Sequence, residues 1–391
     1  MMKKYLWSFA LSALVLAACG KKEEPPAPVA APAPAASAPA SAPVAVNTEE
    51  KVLNIYNWPD YVPAGMIAAF EKESGIKVNY DTFETNEALH AKLVAGNTGY
   101  DIVVPGSVFA KPQIEGGMFQ PLDKTKIKNL SNLDPAIMAT LAKNTDPDNK
   151  HLVPWAWGFT TVGINKTKVE KALGKMPMPE NAWDLVFKPE YTAKLKSCGI
   201  AYLDSPTEII PVALHYIGKN AYSNDAADYK AAAEMLAKVR KDVRIFSSTM
   251  IDDIAGGKAC VAIGWSGDIN IAAGRAKENK SKDEIVSLLP STGALIFFDT
   301  MAITKDAKHP NNAMAFIDYY LRAESAALMT NEMNYPTANK AAVEKVKPEI
   351  SGNKTIFVEA DYFAKMIAPS SFSNEAREAM ATAYNGFKKG K

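Results

Sequence analysis

The side chains most able to do chemistry stand in three short stretches, each pairing an aromatic ring with a carboxylate after an apolar run. The pairs are Trp265 with Asp268, Trp58 with Asp60, and Phe297 with Asp299. An aromatic face beside an acid suits an organic cation, because the ring quadrupole and the carboxylate both attract positive charge. Their recurrence predicts one composite cation site. The competing interpretation is ordinary core packing, with each aspartate capping a turn.

Known catalytic motifs are absent from the sequence or match it only in part. The run from Gly264 to Asp268 resembles a nucleophile elbow, but an aspartate stands where the closing glycine belongs, so the match fails. No glycine-rich phosphate loop and no His-Glu-x-x-His zinc motif occurs, and the 4 histidines are scattered singly. We therefore expect no metal, no cofactor and no enzyme activity. The alternative that stays open is a glycosidase using Asp268 and Asp299 as paired carboxylates.

The first 50 residues predict export and tethering. Residues 1–18 combine Lys3 and Lys4 with an apolar run shorter than the roughly 20 residues that span a bilayer, which is typical of a signal peptide. The segment runs into the letters LAACG, which resemble the bacterial lipobox, with Cys19 as the lipidated first residue of the mature chain. Residues 19–50 are rich in proline, alanine and serine, and this composition predicts a tether without a core.

Charge and cysteine content narrow the possible partners. Without Lys3 and Lys4 the chain carries 42 basic and 43 acidic residues, and no basic run is interleaved with aromatics, so we expect no nucleic-acid binding. Apart from Cys19 there are two cysteines, Cys198 and Cys260. An even pair in an exported chain predicts a disulfide, and two free buried thiols are the alternative.

Hydrophobic patterning predicts an α/β fold. Strands at residues 52–56, 77–83 and 101–104 alternate with helices at 64–74 and 86–95, and such a series predicts a parallel sheet with right-handed crossovers. Ligands bind such sheets at the carboxyl ends of the strands, where Trp58 and Asp60 fall. Apolar runs at 260–264 and 294–296 likewise put the other two pairs after strand ends. A single helix is expected over 312–329.

The chain resembles the polyamine-binding proteins of bacterial ABC importers, and within them the putrescine-binding type. The resemblance runs from about residue 52 to the C-terminus. Its most specific segments are IYNWPDY (55–61), GIKV (75–78), YDIVVP (100–105), FQPLD (119–123), DPDNK (146–150), LKSCG (195–199), CVAIGW (260–265), FFD (297–299) and ANKA (338–341). So many matches in one order are far more specific than a single short motif.

This resemblance implies a type II periplasmic binding protein with two α/β lobes, each a mostly parallel sheet flanked by helices, closing on a ligand in the cleft. It implies a first lobe of residues 51–158 plus 297–345 and a second lobe of 159–296 plus 346–391. The family's ligand-binding positions fall on Trp58, Asp60, Tyr61, Glu208, Ser247 or Ser248, Trp265, Asp268, Phe297, Asp299 and Tyr335. Two positions depart from the family pattern: Pro59 and Gly106 stand where hydroxyl residues are usual.

The resemblance also implies a function and a set of partners. We expect a periplasmic, membrane-anchored lipoprotein that is monomeric, captures putrescine or spermidine, and delivers it to an ABC importer permease. Putrescine is favoured because Asp268 matches the putrescine-type pattern, whereas the spermidine type has a small hydroxyl residue there. Besides the glycosidase, a surface lipoprotein without a ligand is a third alternative.

Overall fold

The computed structural model describes residues 48–390, so the predicted signal peptide, Cys19 and nearly all of the predicted tether lie outside the described residues. The described chain contains one mixed sheet whose strand order is β2-β1-β3-β9-β4-β7-β5-β6, with β8 paired to β4. The strands are Val52–Asn57 (β1), Lys77–Thr82 (β2), Ile102–Val103 (β3), Leu152–Asn165 (β4), Ile200–Tyr202 (β5), Ile245–Phe246 (β6), Val261–Trp265 (β7), Ile285–Ser287 (β8) and Leu295–Ile303 (β9).

Helices cover both faces of this sheet. They are Met66–Ser74 (α1), Asn86–Ala95 (α2), Ser107–Glu115 (α3), Pro135–Asn144 (α4), Lys166–Leu173 (α5), Asp184–Phe187 (α6), Pro189–Leu195 (α7), Pro206–Tyr216 (α8), Ala226–Ala237 (α9), Met250–Ala255 (α10), Ser266–Glu278 (α11), Pro310–Tyr320 (α12), Ala323–Met333 (α13), Pro348–Ser351 (α14), Ala360–Phe363 (α15) and Asn374–Lys389 (α16). Among the residues described, no helix combines the length and the apolarity needed to cross a membrane.

The two outer parts of the sheet are parallel, as the residue pattern predicted for the N-terminal part and as the family resemblance implied for the other. β1 pairs in parallel with β2 and β3, and β5 pairs in parallel with β6 and β7. The antiparallel pairs β4 with β9 and β4 with β7 connect these parts. All 14 residues of β4 are buried, because the strand runs through the middle of the sheet from one part to the other.

Two separate hydrophobic cores flank this crossing. The first core gathers Leu53, Ile55 and Ile102 with residues of α1 and α12, and Val103 faces a smaller cluster on the opposite side of β3. The second core gathers Val261 and Ile263 with residues of α8, α9 and α16. Neighbouring strand residues face opposite sides, so each part of the sheet can bury both its faces beneath helices. Two cores on one chain agree with the expected two-lobe architecture.

The prediction of a single helix over residues 312–329 is wrong in one respect, because the structure has two helices there, α12 and α13. Arg322 adopts an extended backbone, with φ of −64° and ψ of 143°, which ends the first helix. The carbonyl of Leu321 accepts hydrogen bonds from the side-chain amides of Asn132 and Asn339 at 3.0 and 2.7 Å. These two donors replace the helical N–H groups that would otherwise bond this carbonyl, so the break leaves it satisfied.

Cys198 and Cys260 lie in the second core region with Cα atoms 5.5 Å apart, within the range that a disulfide requires. We therefore predict that alkylation of the denatured protein without reductant labels neither residue, and that both are labelled after reduction. Denaturant is needed because Cys260 is fully buried. Reduction should lower the free energy of unfolding by roughly 2 to 4 kcal/mol, since it frees a long loop in the unfolded chain. Peptide mapping that finds both residues alkylated without reductant would contradict the bond.

Candidate functional site

A cavity of about 190 Å³ lies where the two cores approach each other. Of the predicted binding residues, those that line it are Trp58, Asp60, Tyr61, Glu208, Ser248, Trp265, Asp268, Phe297, Asp299 and Tyr335. Trp265 packs against both cores, which places the cavity between them. Ser247 is not among the lining residues; its hydroxyl lies 2.8 Å from the hydroxyl of Thr249, which does line the cavity.

Aromatic rings form the walls. Trp58 and Trp265 meet edge to face with centroids 6.2 Å apart, and Tyr61 meets Tyr335 in the same way at 5.0 Å. The indole N–H of Trp58, which follows β1, donates to the carbonyl of Val104, which follows the neighbouring strand β3, at 2.9 Å. This bond fixes the ring. Walls of this kind can bury an alkyl chain and can also attract a cation through their faces.

Three acids, Glu208, Asp268 and Asp299, point into this aromatic enclosure and are called here the cavity carboxyls. Asp299 is 7% exposed, while the other two retain some exposed surface because they face the cavity. Tyr61 donates its hydroxyl to Asp299 at 2.8 Å, and Tyr335 donates to Asp268 at 2.6 Å. Each of these two acids therefore has one neutral donor and an oxygen left to accept another bond.

Burial changes the protonation of these acids. Desolvation raises the pKa of Asp299 to about 7 and that of Asp268 to about 6, against the opposing effect of their tyrosine donors. Desolvation also raises the pKa of Glu208, although the Thr160 hydroxyl and the Trp265 indole favour its charged form. The surrounding protein thus supplies too little positive charge and too few hydrogen-bond donors to offset the desolvation of these carboxylates. A bound cation would offset it.

Asp60 lines the same cavity in a different electrostatic state. Its side chain is 61% exposed and accepts from the Arg275 guanidinium at 3.2 Å, while Asp252 accepts from the same group at 2.9 Å. Asp60 follows β1, in the first part of the structure, which is built on β1, β2 and β3. Arg275 lies on α11, in the second part, which is built on β5, β6 and β7. The pair therefore connects these two parts. The carboxylate of Asp60 therefore contacts a protein cation directly. Among the described residues no such ion pair reaches the cavity carboxyls, although the charge of Arg275 acts on Asp268 from a distance and lowers its pKa.

The third aromatic and acid pair is not at a strand end, contrary to the expectation from sequence. Phe297 and Asp299 lie inside β9, which continues to Ile303. Residues two apart on a strand share a face, so both side chains line the cavity while Phe298 between them is buried on the other face. The short apolar run indicated the strand correctly, but the acid does not mark its end.

The departure at Gly106 has a steric reason. Its backbone N–H donates to the side-chain oxygen of Asn86 at 2.9 Å, and a Cβ placed on residue 106 would lie 2.9 Å from the nitrogen of that amide. A serine could enter only if the Asn86 amide moved. Asn86 also lines the cavity, so it occupies part of the space that the missing side chain leaves.

Asn86 and Arg275 are among several lining residues that were not predicted from the sequence. Arg275 stands seven residues after Asp268 on α11, which is two helical turns, so both project from the same face. The seven-residue spacing in the sequence could therefore have indicated that Arg275 lies near Asp268. Asn86 carries no such signal, because its position over Gly106 depends on the packing of α2 beside the end of β3.

The fold and the cavity define a two-lobe solute-binding protein of the extracytoplasmic type. The chain belongs to the family described as bacterial extracellular solute-binding proteins, whose model matches residues 65–357. It is 45% identical over 320 residues to the putrescine-binding periplasmic protein PotF of Escherichia coli (strain K12), covering 81% of this chain and 86% of that one. These matches confirm the family resemblance expected from the sequence.

Two further comparisons agree. The putrescine-binding periplasmic protein SpuD of Pseudomonas aeruginosa (strain UCBPP-PA14) is 42% identical over 349 residues, 89% of this chain and 95% of that one. The solved structure of the spermidine/putrescine ABC transporter substrate-binding protein PotD from Streptococcus pneumoniae superposes with a TM-score of 0.71 at 26% identity, covering 87% of this chain and 99% of that one.

No cluster of three acidic, histidine or cysteine side chains suited to a metal ion occurs in residues 48–390.

The raised pKa of Asp299 gives a stability prediction. Between the unfolded value near 4 and the folded value of about 7, the native state binds more protons, so this group lowers stability as pH rises and its full cost is present above pH 7. Asp299→Asn keeps an acceptor for Tyr61 and removes the charge. We expect the ligand-free variant to have a higher free energy of unfolding than the native protein at pH 8, by up to about 4 kcal/mol, and hence a higher unfolding temperature. We expect it to lose that advantage at pH 4.

Asp283→Asn is the matched control, because hydrogen bonding from Asn165 and the nearby Lys168 lower the pKa of Asp283. Removing that charge should lower the unfolding temperature at pH 8. Differential scanning calorimetry at both pH values measures the two effects. A lower unfolding temperature for Asp299→Asn at pH 8 would show that the Asp299 charge is compensated within the protein.

Proposed function

We propose that this protein captures a small polyamine, with putrescine as the preferred ligand, and releases it to the permease of an ABC importer. The observation that carries the proposal is the set of cavity carboxyls, which face aromatic walls and are left short of positive charge by the surrounding protein. An alkyl diamine has an ammonium at each end of an apolar stem. Its two charges and its methylene chain match the acids and the rings of this cavity.

The energetics of such a ligand fit the site. Burying methylenes between aromatic rings contributes about 0.8 kcal/mol per CH₂, and each ammonium adds cation–π attraction. Desolvation of the ammonium groups would exceed these gains unless carboxylates accept their hydrogens. Asp268 and Asp299 each have an oxygen available beside the tyrosine donor, so the acids and the amine compensate each other's loss of water.

The relatives support binding rather than turnover. PotF and SpuD are named as putrescine-binding periplasmic proteins, and the family model describes solute-binding proteins. We therefore propose a non-enzymatic role, in which the two lobes close on the ligand. The predicted boundaries, with 51–158 plus 297–345 forming one lobe and 159–296 plus 346–391 the other, are part of this proposal, as are the ligand contacts of the residues that line the cavity.

We also propose where the protein works. The predicted signal peptide and lipobox, together with the periplasmic location in the names of the relatives, support an exported lipoprotein held at a membrane through Cys19. The proline- and alanine-rich segment 19–50 then serves as the tether that lets a monomeric binding domain reach its permease.

Our first binding prediction concerns Asp268. Asp268→Asn preserves the shape and an acceptor for Tyr335 but removes the charge that would meet an ammonium. Loss of a charge-assisted bond to a desolvated cation should weaken putrescine binding by about 2 to 5 kcal/mol, measured by isothermal titration calorimetry. Asp283→Asn, which removes one negative charge outside the cavity, should bind like the native protein. An Asp268→Asn affinity within threefold of native would place Asp268 outside the ligand's contacts.

The same titrations separate binding from catalysis. Stoichiometric heat from an amine, with the amine recovered unchanged by mass spectrometry, is the expected result. A glycosidase that uses Asp268 and Asp299 would instead release reducing sugar from glycoside substrates and give no saturable signal with a diamine. A lipoprotein without a ligand would show neither, so the three interpretations give different results.

The second binding prediction concerns the ligand's length. Asp60 and Arg275 are paired where they line the cavity, so an additional ammonium reaching that pair would meet a guanidinium and an acid whose charge is already balanced. We expect putrescine to bind more tightly than spermidine in competitive calorimetry. Spermidine binding ten times more tightly, a difference of about 1.4 kcal/mol, would reverse this order while leaving the polyamine class intact.

A further inference from the structure

A second set of contacts joins the two parts of the molecule, separate from the pair of Asp60 and Arg275. Helix α3 belongs to the first part, where its Ala110 packs with Val103 of β3. Helix α16 belongs to the second core, which buries its Met380 and Tyr384. The guanidinium carbon of Arg377 on α16 lies over the ring of Phe109 on α3, 5.6 Å from its centroid.

Neighbouring residues make two more contacts across the same gap. Val108 precedes Phe109 on α3, yet it packs against the second core. Thr207 of α8 donates its hydroxyl to the carboxylate of Glu87 on α2 at 3.0 Å. The first turns of α2 and α3 therefore meet α8 and α16 through one apolar contact, one hydrogen bond and one cation on an aromatic face.

These contacts are made by the wall of the cavity itself. Val108, Phe109 and Thr207 all line it, whereas Arg377 does not. Phe109 is 4% exposed and is also met edge-on by the ring of His90, with centroids 5.9 Å apart. One ring thus touches the ligand space and is held from behind by α2 and α16.

A hydrogen bond and nearby carboxylates stabilise the Arg377 guanidinium in this position. Its guanidinium donates to the carbonyl of Phe372 at 3.1 Å, which fixes it to its own part of the structure. Burial lowers the pKa of Arg377, while Glu87 and Glu115 of the opposite part favour its charged form. The buried Nε of Arg377 has no protein partner among the described residues, so the contact with Phe109 and the two acids compensates a group that is otherwise incompletely bonded.

We propose that Arg377 is a positioning residue for ligand retention: by lying across the Phe109 ring it holds the α3 wall of the cavity closed on the ligand without touching the ligand. The inference rests on the proposed function, because it assigns this contact to the closed, amine-bound state. Opening would separate Arg377 from Phe109 before the ligand can leave. The contact therefore slows dissociation and has little influence on the rate of encounter.

Stopped-flow fluorescence with putrescine tests this, since Trp58 and Trp265 line the cavity and report on its occupancy. Arg377→Met keeps an apolar stem and removes the cation. We expect at least fivefold faster putrescine dissociation, with an association rate constant within twofold of native. Arg377→Lys keeps the charge but loses the planar group, and should dissociate two- to fivefold faster than native, so that it partly rescues the methionine variant.

Arg240→Met is the matched control, because it removes the same kind of contact within one part of the structure. The Arg240 guanidinium carbon lies 4.9 Å from the Phe246 ring centroid, and its Nε and Nη2 donate to the carbonyl of Lys388 at 3.0 and 2.8 Å. This variant should unfold at a lower temperature and release putrescine at the native rate. A purely structural role for Arg377 would give the same pattern as Arg240→Met.

The outcomes separate the inference from the proposed function. If the native protein binds putrescine and Arg377→Met releases it within twofold of the native rate, Arg377 is not a positioning residue. If the native protein shows no putrescine binding, the proposed function fails and this inference fails with it. Should Arg377→Met not fold, Arg377→Lys decides the matter, and a native dissociation rate in that variant would overturn the proposal.

Discussion

Removing carboxylates from water is the constraint on which the rest of this structure depends. Glu208, Asp268 and Asp299 are enclosed by aromatic walls, and their raised pKa values record how incompletely the protein compensates their charge. Tyrosine hydroxyls supply one donor each to two of them but no positive charge. A site with this imbalance binds a cation strongly because the cation relieves a cost that folding leaves in place.

The sheet topology brings these incompletely compensated carboxyls together in one cavity. Strands β4 and β9 run through the middle of the sheet, and β1, β3 and β7 end around the cavity, so acids and rings far apart in sequence converge there. The buried segment that follows α13 adds Tyr335. Close packing completes the enclosure at Gly267, where an added Cβ would lie 2.3 Å from the Tyr335 ring. Any other residue would push that ring, and its hydroxyl, away from Asp268.

The contacts between the two parts of the structure differ in how much they stabilise the closed arrangement. Asp60 and Arg275 form an ion pair whose acid is 61% exposed, and such pairs typically contribute up to about 1 kcal/mol. Arg377 on Phe109 is more enclosed, and its ring partner also lines the cavity. A ligand favours closure only to the extent that it binds the closed arrangement better than the open one. The cavity carboxyls provide most of that difference, since a closed cavity without a cation keeps them desolvated and uncompensated.

The sequence by itself determined the α/β class, the parallel strands of the N-terminal part and the pairing of aromatic rings with acids, because strand and helix periodicity and residue type are local properties. It also carried the family resemblance, since many short segments occur in one order. Only the tertiary structure decided which acids remain uncompensated: Asp60 resembles Asp268 in sequence context, yet it meets Arg275 from a distant helix. The position of Phe297 and Asp299 inside β9, the placing of Asn86 over Gly106 and the contact of Arg377 with Phe109 likewise depend on how distant elements pack, and no local pattern encodes such long-range distances.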